Sequence, residues 1–193
     1  MLKRSLIILV VVLTAAIAYG QESAVGHFEK SKYPFEIPQK FPVPVERGYL
    51  IVPAFHDQPG KLLFRLPVAI FHTQSQNARP DPLVYLHDGP GAPPLPRQPI
   101  SLYSALTRIT SDRDIILFDR RGTGYAEPSL NCPTYDRFRQ QSFDRVPDFA
   151  YYIALAKRLK QCIVRLTGQN VNFRAFNTIE SARDLEMLRK ALG

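Results

Sequence analysis

The distribution of apolar residues changes character along the chain. Leu6 to Ala18 is an uncharged, mostly apolar run of 13 residues, preceded by Lys3-Arg4 and followed by Ala18-Tyr19-Gly20. That length is short for a bilayer span, and a basic start, an apolar centre and small residues at −3 and −1 are the parts of a secretory signal peptide. Cleavage is expected after Gly20, with an uncleaved anchor as the alternative, so residues 1–20 are set apart from the fold. Residues 21–46 are polar and carry Pro34, Pro38, Pro42 and Pro44, an extended lead-in. Gly48 to Pro53 and Leu62 to Thr73 then read as strands. The link His56-Asp57-Gln58-Pro59-Gly60 has the composition of a turn, which predicts an antiparallel hairpin.

Beyond residue 80 the strands lose their alternation. Leu83-Val84-Tyr85-Leu86 and Ile115-Ile116-Leu117-Phe118 are continuous apolar runs, as expected of strands buried on both faces of a parallel sheet. Between them, Leu102, Ala105, Leu106 and Ile109 recur at helical spacing, giving strand–helix–strand. Phe149, Tyr152, Ile153, Ala156, Leu159, Ile163 and Leu166 predict a second helix with Gly168 as its stop. Asn177 with Glu180 three residues on resembles a capping box that opens a third helix, whose apolar face is Ile179, Ala182, Leu185, Leu188 and Leu192. The fold class is therefore α/β, with residues 47–193 as the folded part.

Composition narrows the classes of function. Apolar residues at 45% and charged residues at 22% suit a globular chain and exclude a disordered tail, and 10 Gly among 193 residues exclude collagen. The formal charge of +8 comes from scattered Lys and Arg. The densest stretch, Lys157-Arg158 with Lys160 and Arg165, reads as a solvated helix face. Zinc-finger spacing, an aromatic–basic RNA signature and a basic arm are all absent, so nucleic acid is not an expected partner. Cys132 and Cys162 are the only cysteines. In an exported, oxidising setting they are expected to pair, closing a loop of about 30 residues worth roughly 3–4 kcal/mol. A catalytic thiol is the sharper alternative, but neither cysteine has a His after it or a visible activating neighbour. No metal or cofactor is expected.

Two segments have the composition of a site. His87-Asp88-Gly89-Pro90-Gly91 follows the strand at 83–86, and glycines at the C-terminal end of a parallel strand let backbone N–H groups approach a substrate oxygen. Two such donors stabilise a developing oxyanion; a plain Pro-Gly turn is the alternative. Asp119-Arg120-Arg121-Gly122-Thr123-Gly124 follows the strand at 115–118. It lacks the full glycine pattern of a phosphate loop. Asp119 and Arg121 are expected to form a local ion pair that fixes this turn. Pro93-Pro94-Leu95-Pro96-Arg97 matches a polyproline ligand, but is expected to be a rigid loop leading into the helix near Ile100.

Together these segments resemble a known family. Leu86 to Gly91 is similar to the His-Gly-Gly-Pro-Gly oxyanion loop of proline iminopeptidase-like α/β-hydrolases, and Asp119 to Gly124 to their Asp-Gln-Arg-Gly-Thr-Gly turn. Gly48 to Pro53, Pro128 to Cys132 and Asn177 to Leu185 resemble, in order, three further segments of the exported tripeptidyl aminopeptidase-like (TAP-like) branch. The resemblance covers about residues 45–193. It implies an α/β-hydrolase fold, an N-terminal hairpin leading into a mostly parallel sheet. It also implies a serine hydrolase acting on peptides or small acyl substrates, with an oxyanion held by the 87–91 loop (Gly89 foremost). Asp119, Arg121, Gly122 and Gly124 would form the structural turn, and no stable membrane span would remain after signal cleavage.

The chain also departs from the family. Asp88 stands where the family has a glycine, and its carboxylate would repel a developing oxyanion. Arg120 replaces the usual Gln, and Tyr125-Ala126 a polar pair. The 193 residues contain no Gly-x-Ser-x-Gly, and their last histidine is His87, so the order Ser…Asp…His is not completed within them. The expectation is the N-terminal part of an exported hydrolase, inactive and poorly folded as 193 residues alone. The alternatives are an exported remnant, a binding protein without activity or a truncated gene fragment.

Overall fold

A computed structural model describes residues 25–31, 41–58, 62–87, 91–97, 99–144 and 146–193. Residues 1–20, expected to be a signal peptide, lie outside them, as do much of the lead-in and Asp88, Gly89 and Pro90. Five strands form one sheet: β1 (Phe28–Lys30), β2 (Val45–Pro53), β3 (Leu63–Phe71), β4 (Leu83–Tyr85) and β5 (Ile115–Phe118), in the order β1-β2-β3-β5-β4. The β2–β3 hairpin is antiparallel, in register from Val45 opposite Phe71 to Pro53 opposite Leu63. β4 and β5 are parallel, with Val84 opposite Ile116. Their crossover is made by α1 (Pro94–Arg97) and α2 (Pro99–Leu106). The sheet is thus mixed, and the fold is α/β.

Two helical layers explain why the strands read as continuous apolar runs. On one face, Leu50, Val52, Leu66, Val68 and Ile116 pack with Leu188 of α5 (Thr178–Leu192). On the other, Ile51, Ala69, Phe71 and Leu117 pack with Leu95 of α1 and with Tyr103 and Leu106 of α2. Successive residues of β2, β3 and β5 therefore all leave water, at roughly 25 cal/mol for each Å² of apolar surface removed.

Four features differ from the sequence expectations. β4 is less buried than its continuous apolar run implies: at the edge of the described sheet beside β5, Leu83, Val84 and Tyr85 are only partly buried. β1 lies within the proline-rich lead-in, its three residues being too few to show a period. The third helix keeps its expected span, but Ile179 is 66% exposed while Glu180 and Asp184 are buried beside Leu188. The helix has turned its polar side inward toward partners that local periodicity does not register.

The fourth difference is the largest. α3 (Pro133–Gln141), which the sequence reading missed, and α4 (Phe149–Gly168) pair with each other in a hairpin set apart from the sheet. Of the predicted α4 stripe only Leu166 is buried, together with Cys162, while Phe149, Tyr152, Ile153, Leu159 and Ile163 face outward. Asp148 caps α4 by accepting a hydrogen bond from the Tyr151 N–H at 2.7 Å. The expected disulfide joins Cys132, at the N-cap of α3, to Cys162 in α4, with Cα atoms 5.7 Å apart.

Candidate functional site

The two sequence-predicted segments emerge side by side at the C-terminal ends of β4 and β5, because parallel pairing points both strands the same way. His87 leaves β4, and its Nδ1 lies 3.0 Å from the Tyr85 hydroxyl. Gly91, at the far end of the loop, has φ of 77° with open space where a Cβ would stand. Asp88, Gly89 and Pro90 between them are outside the described residues.

Asp119 joins the two segments. Its Oδ1 accepts the Leu95 N–H of α1 at 3.1 Å, and its Oδ2 accepts the Tyr125 N–H at 3.0 Å. One carboxylate thereby ties the chain leaving the 87–91 loop to the turn leaving β5. The group is fully buried. Burial pushes its pKa up to about 7, against the two N–H donors that favour the anion. Gly124, with φ of 53°, lets the turn close on Asp119: a Cβ there would collide with the Asp119 carboxylate and stand 2.6 Å from Pro93. Gly122, with φ of 78°, passes between Phe176 and Leu130, where a Cβ would lie within 2.9 Å of both.

The expected Asp119–Arg121 ion pair is not formed. Arg121 turns away from the loop and into the protein, where it makes a bidentate pair with Asp184 of α5 at 2.7 and 2.6 Å. Its remaining donors reach the carbonyls of Ala54 at 2.8 Å, Ala175 at 2.6 Å and Pro53 at 3.3 Å. All its N–H groups are used, so the guanidinium is a structural clamp with none left for a substrate. It joins the end of β2, the 3₁₀ turn Phe173–Ala175 and α5. Three residues past the end of β5, Arg121 enters the layer that holds α5, where a long planar donor finds four acceptor groups.

A histidine that the sequence reading left in a turn completes this cluster. His56 Nδ1 meets Glu180 Oε2 at 2.5 Å, and its backbone N–H donates to the same oxygen at 3.0 Å. Its Nε2 faces Asp184 Oδ1 at 3.5 Å. Burial raises the Glu180 pKa, but the hydrogen bonds from His56 outweigh it and hold the group below its ordinary value. Only half of the capping box therefore forms. Asn177 accepts the Glu180 N–H at 2.9 Å, while the Glu180 carboxylate goes to His56 and Arg183 instead of returning to the cap. The usable signal was a Glu and an Asp four residues apart, Glu180 and Asp184, on one helix face.

Neither His56 nor His72 has the setting of a general base beside a nucleophile. His72 Nδ1 lies 2.8 Å from Asp114 Oδ2, and its Nε2 faces a second carboxylate, Glu46, at 3.8 Å. Each ring sits between two acids, whereas a triad histidine has an acid on one side and a hydroxyl or thiol on the other. Among the described residues, no cluster of three or more His, Cys, Asp or Glu could hold a metal ion, and no helix is long and apolar enough to cross a membrane.

No protein-family profile matches the chain. It is similar to the Escherichia coli (strain K12) protein named "Putative hydrolase YuaR", with 29% identity over 153 residues, which cover 76% of this chain and 28% of that protein. It is also similar to "Carboxylesterase B" of Mycobacterium tuberculosis (strain H37Rv) and to "Putative hydrolase Mb2247c" of Mycobacterium bovis. Both are 29% identical over 152 residues, covering 72% of this chain and 28% of theirs. The chain thus spans little more than a quarter of the length of the curated relatives it matches. The chain has an α/β sheet with two glycine-bearing segments following its parallel pair, and these distant relatives are named as hydrolases and a carboxylesterase.

Proposed function

We propose that residues 47–193 are the N-terminal portion of an exported α/β-hydrolase of the proline iminopeptidase or TAP-like type. Residues 1–20 are its signal peptide and 21–46 its lead-in. In the complete protein the reaction is serine-dependent acyl transfer to water, on the N-terminal residues of peptides or on a related small acyl substrate. The 87–91 loop contributes a backbone N–H, that of Gly89, to the oxyanion. The nucleophile, its base and the orienting acid come from sequence beyond these 193 residues.

The observation that carries this reading is the junction at Asp119. A buried carboxylate accepts from Leu95, in the chain after the 87–91 loop, and from Tyr125, at the close of the 119–124 turn, next to the C-terminal ends of a parallel pair of strands. An oxyanion donor must be fixed before charge develops, because its value lies in avoiding reorganisation at the moment of reaction. Between the sheet face and α5 runs a groove of about 1290 Å³ that reaches Val84 and Leu86; its floor includes Ile70, Ile116, Leu185 and Leu188, and its rim is charged, with Arg79, Asp81, Glu186 and Arg189 among the lining residues. The Cys132–Cys162 disulfide accords with export.

The test is peptidase and esterase turnover by the complete protein, assayed with amino-acyl anilides and short-chain esters. Turnover abolished by a serine-directed covalent inhibitor supports the proposal. Absence of turnover on both substrate classes, with no labelling by the inhibitor, overturns it and favours the reading of an inactive exported binding protein.

A further inference from the structure

The α3–α4 hairpin presents a surface that the hydrolase reading does not use. α4 contains Lys157, Arg158, Lys160 and Arg165 and no acidic residue over its 20 residues. At 100° per residue, Phe149, Ile153, Ile163 and Val164 fall on one side of it, with Lys160 among them and Lys157 at their border. All four apolar residues are exposed, Phe149 at 81% and Val164 at 63%. The connection between α3 and α4 adds Phe143 and Val146, 87% and 91% exposed. Four exposed apolar residues on one side of one helix, with Lys160 between them, are more than the scattering of single residues that any surface shows.

The two arginines of α4 are occupied within the hairpin. Arg158 stacks over the Phe138 ring at 3.9 Å, and Arg165 donates to the Asn131 carbonyl at 2.7 Å. Lys157 and Lys160 make no hydrogen bond or ion pair among the described residues, which leaves two cations next to the apolar stripe. Residues 133–168 carry seven Lys or Arg against three Asp, a net +4 that is half the formal charge of the whole chain. Of those acids Asp148 is engaged as the α4 cap, and Asp136 sits in the first turn of α3.

We propose that the α4 face is a docking surface for an anionic lipid layer. The helix lies in the headgroup region without crossing it, its apolar side chains reach the acyl boundary, and Lys157 and Lys160 meet lipid phosphates. Charge complementarity selects this occupant. A second copy would set +4 against +4, and an uncharged protein surface would leave both lysines unmatched, whereas an exposed basic helix with an aromatic and aliphatic face has the makeup of an interfacial helix. The Cys132–Cys162 bond fastens α4 from its buried side and leaves the stripe outward. The inference stands independently of the hydrolase reading.

Cosedimentation of the purified, oxidised protein with vesicles tests it. The vesicles are phosphatidylcholine alone or phosphatidylcholine mixed with phosphatidylglycerol. Binding is expected with the mixed vesicles, is weakened by salt, and is weaker on neutral ones. K157E/K160E weakens it by more than about tenfold, and F149S/I153S does the same through lost apolar contact. Both variants change exposed side chains, and far-ultraviolet circular dichroism verifies that they fold. Residues 6–18 are identical in all three proteins, so the differences report on the hairpin alone. Equal binding by the parent and both variants overturns the proposal, as does equal binding to neutral and anionic vesicles. Failure of the parent to bind anionic vesicles also overturns it, and would assign the face to a protein surface instead.

Discussion

The sheet with its end turns and the α3–α4 hairpin were built from similar sequence patterns and came to opposite ends. In the sheet, the central apolar runs of β2, β3 and β5 are covered on both faces, and three charged groups that enter the interior are matched: Arg121 by Asp184 and three carbonyls, Asp119 by two N–H groups, Glu180 by His56 and Arg183. In the hairpin, a seven-position apolar stripe spaced as well as any core helix's lies mostly outside, and a disulfide replaces the missing core. Periodicity determines that a segment is a helix with a preferred side. What that side meets is decided by chain that is remote in sequence or lies in another layer.

The largest effect should come from breaking the sheet's polar clamp. Arg121→Met strips the buried Asp184 of its bidentate partner, leaving only His56 Nε2 facing it at 3.5 Å, and should cost about 3–5 kcal/mol in denaturant unfolding. The double variant Arg121→Met/Asp184→Leu should cost less than the sum of the two singles, since it strands no charge. Additive losses would mean that the pair is not coupled.

The corresponding operation on the hairpin is to cut its staple. Cys132→Ser/Cys162→Ser should lower stability by about 3 kcal/mol. The loss should be local: limited proteolysis should cleave first within residues 133–168 while the β2–β3 hairpin stays protected. Simultaneous loss of both regions would show that they unfold as one unit.

Much of this contrast could be read from the chain, and some could not. The β2–β3 hairpin, the parallel β4–β5 pair and the α5 cap were legible because their parts are each written locally, as a period, a turn composition or a cap. The two candidate loops were legible for the same reason, since each directly follows a strand. The partner of Arg121 was not. Asp184 lies 63 residues away, and the nearer Asp119 looked sufficient until the fold assigned its two oxygens to backbone N–H groups. His56 was hidden in a segment whose composition spelled a turn, and the exposure of α4 was hidden because amphipathic spacing looks the same whether or not a core stands opposite.

Titration should separate the buried acids by sign. Asp119 has a folded pKa raised from 3.8 to about 7, so it is ionised more readily in the unfolded chain. Its contribution to stability is greatest at low pH and falls as pH rises through the interval between those values. Glu180 is lowered from 4.5, so its contribution is present above that value and is lost as pH falls through its folded pKa. Unfolding free energies followed from pH 4 to 8 should decline less in Asp119→Asn than in the parent. An identical slope would place the titration elsewhere.

The smallest expected change is at Leu159, with Leu188 as its buried counterpart. Leu159→Ser on α4 alters a 43% exposed side chain and should shift stability by less than about 0.5 kcal/mol. Leu188→Ala on α5 removes a side chain packed on the sheet and should cost about 2–5 kcal/mol. Comparable costs at the two sites would indicate that the α4 face is covered.

The functional account rests on the 87–91 loop, held through Asp119, acting as the oxyanion element of the complete hydrolase. The most direct test is steady-state turnover of the complete protein carrying Asp88→Gly. If the loop is the oxyanion element as proposed, the substitution removes a negative charge near the developing oxyanion, so kcat should be maintained or raised on amino-acyl anilide substrates. A tenfold or greater fall in kcat, in a variant that melts at the parent's temperature, would contradict the assignment and give Asp88 a role that an oxyanion loop does not require.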